Sequence, residues 1–335
     1  MKRNILYFGI LAVLAIAVYF LFFTEGKSTF EKSEVNFKVK DTASIQKIFL
    51  TDLQNHNIKL ERSVDGWVLN DSLQPRPDAI EGLLSVLATQ DAEQVVPMSF
   101  HDNVVKDLSV NNVKIELYTA AGKTHCFYIG ANPGANNLTY MLNEGAKRPY
   151  IVRQPIQNTF VGAYYFTSVD EWRTRKIFYS NNPIEMIDVS YKDSTKYSYH
   201  IQINGDSIQF SGKQNSNLPL NKKRVYDYLK LFENVYCMGF EHSLLGKDSI
   251  MKSVDVLGTV TVKRKNTQQS SITFYFKPIG KTTNKIIQIG NKEYDYDFFF
   301  GSDDKNNFML FSRKTIENML RAFSEFYEQD SQQPL

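Results

Sequence analysis

Two neighbouring stretches decide the fold: Val113–Tyr118 (VKIELY) and Cys126–Ile129 (CFYI). Both are rich in β-branched and aromatic residues, and a polar turn separates them, so they predict two paired strands. Similar stretches return later as Thr259–Arg264 (TVTVKR) and Ile272–Phe276 (ITFYF), again on either side of a polar turn. We therefore predict that the chain contains the same hairpin twice.

The elements around this hairpin also return in the same order. Ser44–Ile48 resembles Pro183–Ile187, and the pair Phe127-Tyr128 returns as Phe274-Tyr275. Apolar residues recur at i, i+3, i+4 and i+7 in each half, which predicts one amphipathic helix per half. The helix positions are Ile80, Leu83, Leu84 and Leu87, and then Val225, Tyr228, Leu229 and Phe232. We interpret this as a tandem duplication with a period of about 140–150 residues, long enough for each copy to bury its own core.

The predicted fold class is α+β. Short polar turns between strands favour antiparallel pairing, and the helices are too few for a parallel sheet of βαβ units. The first α+β repeat is predicted over residues 44–182 and the second over residues 183–330, because Asn181-Asn182-Pro183 is a turn-forming cluster. The complete prediction is an N-terminal transmembrane helix followed by two tandem, similar, mainly antiparallel α+β repeats.

The N-terminal segment predicts a membrane anchor. Ile5–Phe23 contains no charged residue, and at about 1.5 Å per residue a helix over it is roughly 28 Å long, close to the thickness of a bilayer's hydrocarbon core. Lys2 and Arg3 precede it and favour a cytoplasmic N-terminus. A cleaved signal peptide is the alternative, since Ala15-Ile16-Ala17 has the small-x-small form of a cleavage site.

These features together predict a single-pass protein of the inner (cytoplasmic) membrane. Its anchor covers residues 1–24, its stalk covers residues 25–43, and the bulk of the chain lies in the periplasm or elsewhere outside the cytoplasm. The chain has 39 basic and 36 acidic residues, a formal net charge of +3. Such a small charge gives no electrostatic reason to expect nucleic acid as a partner.

The sequence contains no recognisable catalytic or cofactor motif. It has no Gly-x-Ser-x-Gly elbow, and its five histidines are dispersed without metal-ligand spacing. Gly122-Lys123-Thr124 and Gly280-Lys281-Thr282 resemble P-loop endings, but Leu117 and Tyr275 stand where the first P-loop glycine is required. We predict no catalytic residue, no cofactor and no metal ion. The disulfide state of Cys126 and Cys237 is left open.

Two groups of residues are candidate sites. The acidic cluster Asp295, Asp297, Asp303 and Asp304 offers metal-type ligands, but alternation along a strand favours a solvated face for Asp295 and Asp297. The group Trp172, Arg173 and Arg175 lies near the junction of the copies. It could recognise an anionic group, but we favour a hub between the repeats in which Trp172 is buried and the arginines meet carboxylates or carbonyl groups.

Several segments occur together in an order that is characteristic of one family. They are the apolar N-terminal run, Val39–Thr42, Ile45–Leu50, Gly66–Asn70, Arg76–Ala79, His101–Lys106 and Trp172–Phe178. This set resembles a bacterial family of membrane-anchored proteins that carry a domain of unknown function. Some relatives are associated with gliding-motility-type ABC-transporter auxiliary proteins. The resemblance implies an accessory role and supplies no active-site residue.

The resulting hypothesis is a non-enzymatic accessory or scaffold protein of the cell envelope, with protein partners there and an association with a transporter complex. The absence of a catalytic motif from the sequence and the resemblance both favour it. Two alternatives stay open: a hydrolase acting on envelope glycan or peptide, and a protein that binds a small ligand in the cleft between the repeats.

Overall fold

The computed structural model describes residues 34–130, 138–155, 160–180, 182–192, 195–205, 207–212, 219–242 and 244–327. The chain divides into two compact units, Met1–Val169 and Asp170–Leu335. We call them the first and the second unit. Each contains its own sheet and its own buried apolar residues.

The first unit is built on an antiparallel sheet. Its strands are β1 (Lys47–Asp52), β2 (Asn57–Ser63), β3 (Gly66–Leu69), β4 (Asp91–Val95), β5 (Asn112–Thr119), β6 (Gly122–Gly130), β7 (Thr139–Asn143) and β8 (Tyr150–Arg153). They lie in the order β3-β2-β1-β5-β6-β7-β8-β4, and each neighbouring pair is antiparallel. Alternation drives this pairing: Ile48 and Leu50 are completely buried and lie opposite Leu117 and Ile115.

Two helices pack on this sheet. α1 (Pro77–Thr89) begins with a proline, which suits the first helical turn, and buries Leu83 and Leu87 as its apolar stripe predicts. α2 (Met98–Val110), which the sequence did not predict, packs Val104 and Leu108 against Ile151. Ile151 points to the opposite face from its neighbours in β8, so α2 covers one end of the outer face of the sheet.

The described chain begins within the core of the first unit. Phe37 is completely buried, and its ring centroid lies 5.9 Å from that of Phe127 and 6.2 Å from that of Tyr150. Glu34 is buried as well. Residues 34–39 fall in the predicted stalk, yet they contribute side chains to the first unit because two aromatic partners surround Phe37.

The second unit contains a nine-stranded sheet and a short two-stranded ribbon. Its strands are β9 (Lys176–Ile177), β10 (Ile184–Tyr191), β11 (Tyr199–Asn204), β12 (Ser207–Gly212), β13 (Val235–Tyr236), β14 (Gly239–Phe240), β15 (Val256–Arg264), β16 (Ser270–Pro278), β17 (Ile286–Ile289), β18 (Lys292–Asp303) and β19 (Phe308–Ser312). The sheet order is β12-β11-β10-β15-β16-β18-β19-β14, and β17 pairs with β18 at the side. β9 and β13 form the ribbon.

The described part of the second unit contains four α-helices, of which α4 and α6 each bury two side chains. The helices are α3 (Val169–Trp172), α4 (Lys222–Leu231), α5 (Lys247–Ser253) and α6 (Arg313–Met319). The side chain of Asn221 caps α4 by accepting a hydrogen bond from the Arg224 amide. Tyr228 is buried within α4, and its hydroxyl donates to the carbonyl of Met319 at 2.6 Å. Its ring and that of Tyr199 both contact Phe326.

The membrane part of the sequence prediction requires correction. The predicted anchor, residues 1–24, lies outside the described residues. Among the residues that the structure describes, no helix is both long enough and apolar enough to cross a membrane. The predicted transmembrane helix in the fold class, the single-pass topology and the inner-membrane localisation are therefore corrected. The described chain is α+β with mostly antiparallel sheets and without a membrane-spanning helix.

Candidate functional site

Five side chains converge on the outer face of the first sheet, beside the end that α2 covers. Lys114 and Glu116 lie two residues apart on β5, and Cys126 lies opposite Glu116 on β6. Lys123 projects from the start of β6, and Glu144 follows the end of β7. We call these five residues the charged cluster. Lys114 and Glu116 share one face because Ile115 between them is buried, and Cys126 joins them there because it lies opposite Glu116.

Ion pairs hold the charged cluster together. The ammonium group of Lys114 lies 2.9 Å from a carboxylate oxygen of Glu116, and that of Lys123 lies 2.9 Å from Glu144. Each lysine also approaches the other carboxylate, at 3.5 Å for Lys114 and 3.7 Å for Lys123. Two positive and two negative groups thus neutralise one another.

Neither carboxylate of the charged cluster is prepared to act as a general acid. Burial alone would raise the pKa of Glu116, but hydrogen bonds from Lys114 and Tyr118 outweigh it and hold this pKa below its ordinary value. The pKa of Glu144 is also lowered, first by the hydrogen bond from Lys123. Glycoside hydrolysis by paired carboxylates requires one acid with a raised pKa. Because the pKa values of Glu116 and Glu144 are both lowered, this pair does not provide the acid that the reaction requires.

The thiol of Cys126 is likewise unsuited to nucleophilic catalysis. Burial raises the pKa of Cys126 to about 11, so the thiolate is scarce at neutral pH. Its neighbour His125 lies opposite Leu117, on the other side of the strand, and burial lowers the pKa of that imidazole. Cys126 and Cys237 are both free thiols.

The charged cluster includes a set of metal-type donors that does not fit a metal ion. Donor atoms of Glu116, Cys126 and Glu144 lie within 4.8 Å of one another, the one such group among the residues that the structure describes. However, Lys114 and Lys123 already occupy the carboxylate oxygens, and the thiol keeps its proton. A divalent cation would have to displace two ammonium groups and that proton.

The predicted acidic residues do not converge. Asp295 is only 1% exposed and accepts hydrogen bonds from the ammonium of Lys277, the hydroxyl of Thr283 and the amide of Asp297, each at 2.9 Å. The strand alternation that assigned Asp295 to a solvated face fails here, because Tyr294 and Asp295 are both buried beside a register shift between β16 and β18.

Asp303 and Asp304 accept hydrogen bonds from backbone amides. Asp303 accepts hydrogen bonds from the amides of Lys305 and Asn307, both at 2.9 Å. Asp304 accepts one from the amide of Ser271 at 2.8 Å. Asp303 therefore stabilises the β18–β19 turn, and Asp304 ties that turn to the start of β16, in each case by satisfying a backbone donor.

The residues of the predicted hub lie at the start of the second unit. Trp172 is completely buried. The guanidinium of Arg173 lies 3.7 Å from the ring centroid of Phe240 and donates to the side-chain oxygen of Asn307 at 2.9 Å. Asn307 in turn donates to Asp303 at 2.7 Å, so the structure links members of the two predicted groups.

Arg175 has two local contacts within the second unit. Its guanidinium pairs with Glu171 at 3.5 Å, and its carbonyl accepts a hydrogen bond from the amide of Cys237 at 2.9 Å. These contacts tie α3 to the β9–β13 ribbon. A hub function between the repeats stays a prediction.

Exposed aromatic and apolar side chains lie along the β9–β13 ribbon. Tyr236 lies opposite Lys176, whose ammonium is 4.6 Å from the ring centroid of Tyr179. Met238 lies two residues beyond Tyr236, on the same side because Cys237 between them is buried. Tyr179, Tyr236 and Met238 are 49%, 51% and 44% exposed. We call these three residues with Lys176 the aromatic surface.

Sequence reasoning missed both the charged cluster and the aromatic surface. The alternation Lys114-x-Glu116-x-Tyr118 was a usable signal, because it marks one polar side of a strand. The contact with Cys126 follows only when the register of the hairpin is known. No comparable signal existed for the ribbon, since β9 and β13 are two residues long and far apart in the sequence.

Comparison with known proteins identifies the family. The family model described as "Domain of unknown function (DUF4340)" matches residues 67–249. This match covers more than half of the 335 residues, and the chain belongs to that family. No match was found among curated proteins or among solved structures.

Proposed function

We propose that this protein is a non-enzymatic accessory or scaffold protein that holds a protein partner on the aromatic surface. The exposure of Tyr179, Tyr236 and Met238 on one short ribbon is the observation that carries the proposal. Tyrosine and methionine are enriched in the centres of protein interfaces, where they lose contact with water when the partner binds. Single exposed apolar residues are common, whereas three on one ribbon favour an interface.

The charge at this site indicates the chemistry of the partner. Lys176 forms no ion pair with any of the residues that the structure describes. A carboxylate placed over the aromatic surface would complement its ammonium group, while an apolar or aromatic side chain would cover Tyr236 and Met238. We infer a partner segment that carries an acidic residue beside an apolar one.

The family resemblance suggests which partner to test first. Some proteins that this chain resembles are associated with transporters as auxiliary proteins, so transporter subunits are the first candidates. The state of the charged cluster supports a non-enzymatic role, because its carboxylates are paired with lysines and its thiol keeps its proton at neutral pH.

The proposal is tested by crosslinking in cells with a tagged full-length chain, followed by detergent purification and mass spectrometry. The test variant combines Tyr236→Ser and Met238→Ser. The matched control combines Phe100→Ser and Val110→Ser, which remove side chains of similar exposure from α2 in the first unit. We expect a stoichiometric partner with the natural sequence and with the control, and its loss with the test variant.

Binding of the purified partner to each variant then provides the decisive measurement. Equal binding to the test and control variants would show that the aromatic surface is not the interface. Recovery of no protein besides the tagged chain would overturn the scaffold proposal and favour the alternative of a hydrolase.

A further inference from the structure

The strand β17 lies at an open edge of the second sheet. It pairs with β18 on one side, and no other strand in the described part of the chain pairs with it. The turn Gly290-Asn291 connects the two strands, and Gly290 has the positive φ of 58° that such a tight turn requires. β17 is therefore the outer arm of a hairpin, and one long side of its backbone faces away from the sheet.

The register with β18 shows which backbone groups of β17 are unused. The amide of Tyr296 donates to the carbonyl of Lys285 at 2.9 Å, so these two residues form a hydrogen-bonded pair. Such pairs alternate along an antiparallel ladder, so the amide and carbonyl of Ile287 also point toward β18. Those of Ile286 and Gln288 point the opposite way, and no backbone group of another described segment bonds to them. The edge thus offers two donors and two acceptors.

This edge lacks the features that protect a sheet from further pairing. The edge strand of the first sheet, β4, contains Asp91 and Glu93 and has a register shift against β8. Charges and bulges of this kind discourage the addition of another strand. β17 contains no charged residue and no proline, its register with β18 is regular, and Ile286 is 55% exposed. A regular, uncharged edge with an exposed β-branched side chain favours strand addition.

The charges around β17 indicate what kind of strand fits. The segment 279–292 contains three lysines, Lys281, Lys285 and Lys292, and no acidic residue. Lys292 pairs with Asp255 at 2.8 Å, whereas Lys281 and Lys285 are exposed and form no ion pair with the residues that the structure describes. A second copy of this chain would bring lysines close to lysines, and like charges across an interface are unfavourable. A strand that carries carboxylates would complement them.

We propose that β17 is extended by a strand from a partner protein, a segment in which acidic and β-branched residues alternate. The backbone of that segment bonds to Ile286 and Gln288, its β-branched side chains cover Ile286, and a carboxylate lies opposite Lys285. In this mode of recognition the main-chain hydrogen bonds provide affinity and the side chains provide specificity. The site is independent of the aromatic surface, because the two share no residue.

The test uses the full-length protein and a synthetic peptide, Thr-Val-Glu-Val-Glu-Val-Thr, whose binding is measured by fluorescence anisotropy. The test variant is Gln288→Pro, which removes one outward amide. Proline is tolerated there because that amide does not bond to β18. The control, Gln288→Thr, changes the same side chain and keeps the amide. We expect saturable binding that is about ten-fold weaker in the proline variant and unchanged in the control. Hydrogen exchange should slow in β17 when the peptide binds.

A charge exchange tests the proposed specificity without altering the backbone. We expect Lys285→Glu to weaken binding of the acidic peptide about three- to ten-fold and to favour a peptide with lysine in place of glutamate. The Tyr236→Ser, Met238→Ser variant should bind the acidic peptide normally, which separates this site from the aromatic surface.

Three results would overturn the proposal. The acidic peptide might not saturate, or it might bind equally well to the two variants of Gln288. Tighter binding of a peptide with the sequence of residues 284–292 would assign the edge to a second copy of the chain.

Discussion

Glu116 and Cys126 form a cross-strand pair in the first unit, and Thr261 and Ser271 form the corresponding pair in the second. The two sheets have matching strand orders, β3-β2-β1-β5-β6 and β12-β11-β10-β15-β16 over their first five strands. In both hairpins the paired residues are separated by the same number of positions. The outer faces therefore occupy equivalent places in equivalent sheets.

These equivalent faces carry different chemistry. The first unit has ion pairs there, in the charged cluster. The second unit has hydroxyl pairs: Thr261 with Ser271 at 2.9 Å and Thr259 with Thr273 at 3.0 Å. The inner faces do not differ in this way, because both are apolar and buried. We infer that burial of apolar side chains on the inner face maintains each sheet, whereas the side chains of the outer face can differ between the two units.

The largest effect should come from the inner faces and should be similar in both units. Phe127 and Phe274 are completely buried. We expect Phe127→Ala and Phe274→Ala each to lower the free energy of unfolding by about 3–5 kcal/mol, through lost burial and a residual cavity. Urea unfolding measures this loss, and hydrogen exchange assigns it to the first or the second unit. A loss below about 1 kcal/mol in one unit would show that the inner face of that unit is not a packed core and that the two inner faces are not equivalent.

An intermediate effect should come from the buried acid that distinguishes β18. Burial alone would raise the pKa of Asp295, but hydrogen bonds from Lys277 and Thr283 hold it below its ordinary value. Asp295 thus stabilises the second unit at pH values above about 4, and this stability is lost as the pH falls through the lowered pKa of the folded state. We expect Asp295→Asn to cost about 3 kcal/mol at pH 7 and to flatten the acid limb of the stability curve.

Thermal unfolding between about pH 2 and about pH 7 measures that change, because the stability is lost below about pH 4 as the pH falls through the lowered pKa of Asp295. The control is Asp227→Asn, an exposed residue paired with Lys223 at 3.8 Å, which should change stability by less than about 0.5 kcal/mol. If both variants kept the acid limb of the natural protein, Asp295 would not be the group that titrates.

The smallest effects should distinguish the two outer faces. We expect Glu116→Gln to cost about 1–2 kcal/mol, because it leaves Lys114 without its nearest carboxylate, and Thr261→Val to change stability by about 0.5 kcal/mol or less. Added salt should lower the cost of Glu116→Gln, since it screens the ion pair that the variant lacks. Urea unfolding at low and high salt measures both. Equal costs without salt dependence would mean that the two faces are energetically alike.

The periodicity of apolar residues predicted part of this similarity between the two units. The i, i+3, i+4, i+7 stripes predicted α1 and α4, and the structure confirms both helices, with Leu83, Leu87, Val225 and Tyr228 buried. The predicted hairpin stretches also lie in strands. The pairing of Phe127-Tyr128 with Phe274-Tyr275 was wrong, because the registers make Ile272-Thr273 the counterparts of Phe127-Tyr128. Register depends on cross-strand contacts, and a similar pair of residues in two strands does not specify those contacts.

The α+β class, the antiparallel strands and the membership in a family with a domain of unknown function could all be predicted from the sequence alone. Local alternation and turn residues suffice for that. Which polar groups lie in contact could not be predicted in this way. Glu34 reaches Tyr150 across 116 positions of the chain, and Arg173 reaches Asn307 across 134. Such contacts depend on sheet order and register, since a hydrogen bond requires its two atoms to be near in space and places no limit on their separation in sequence.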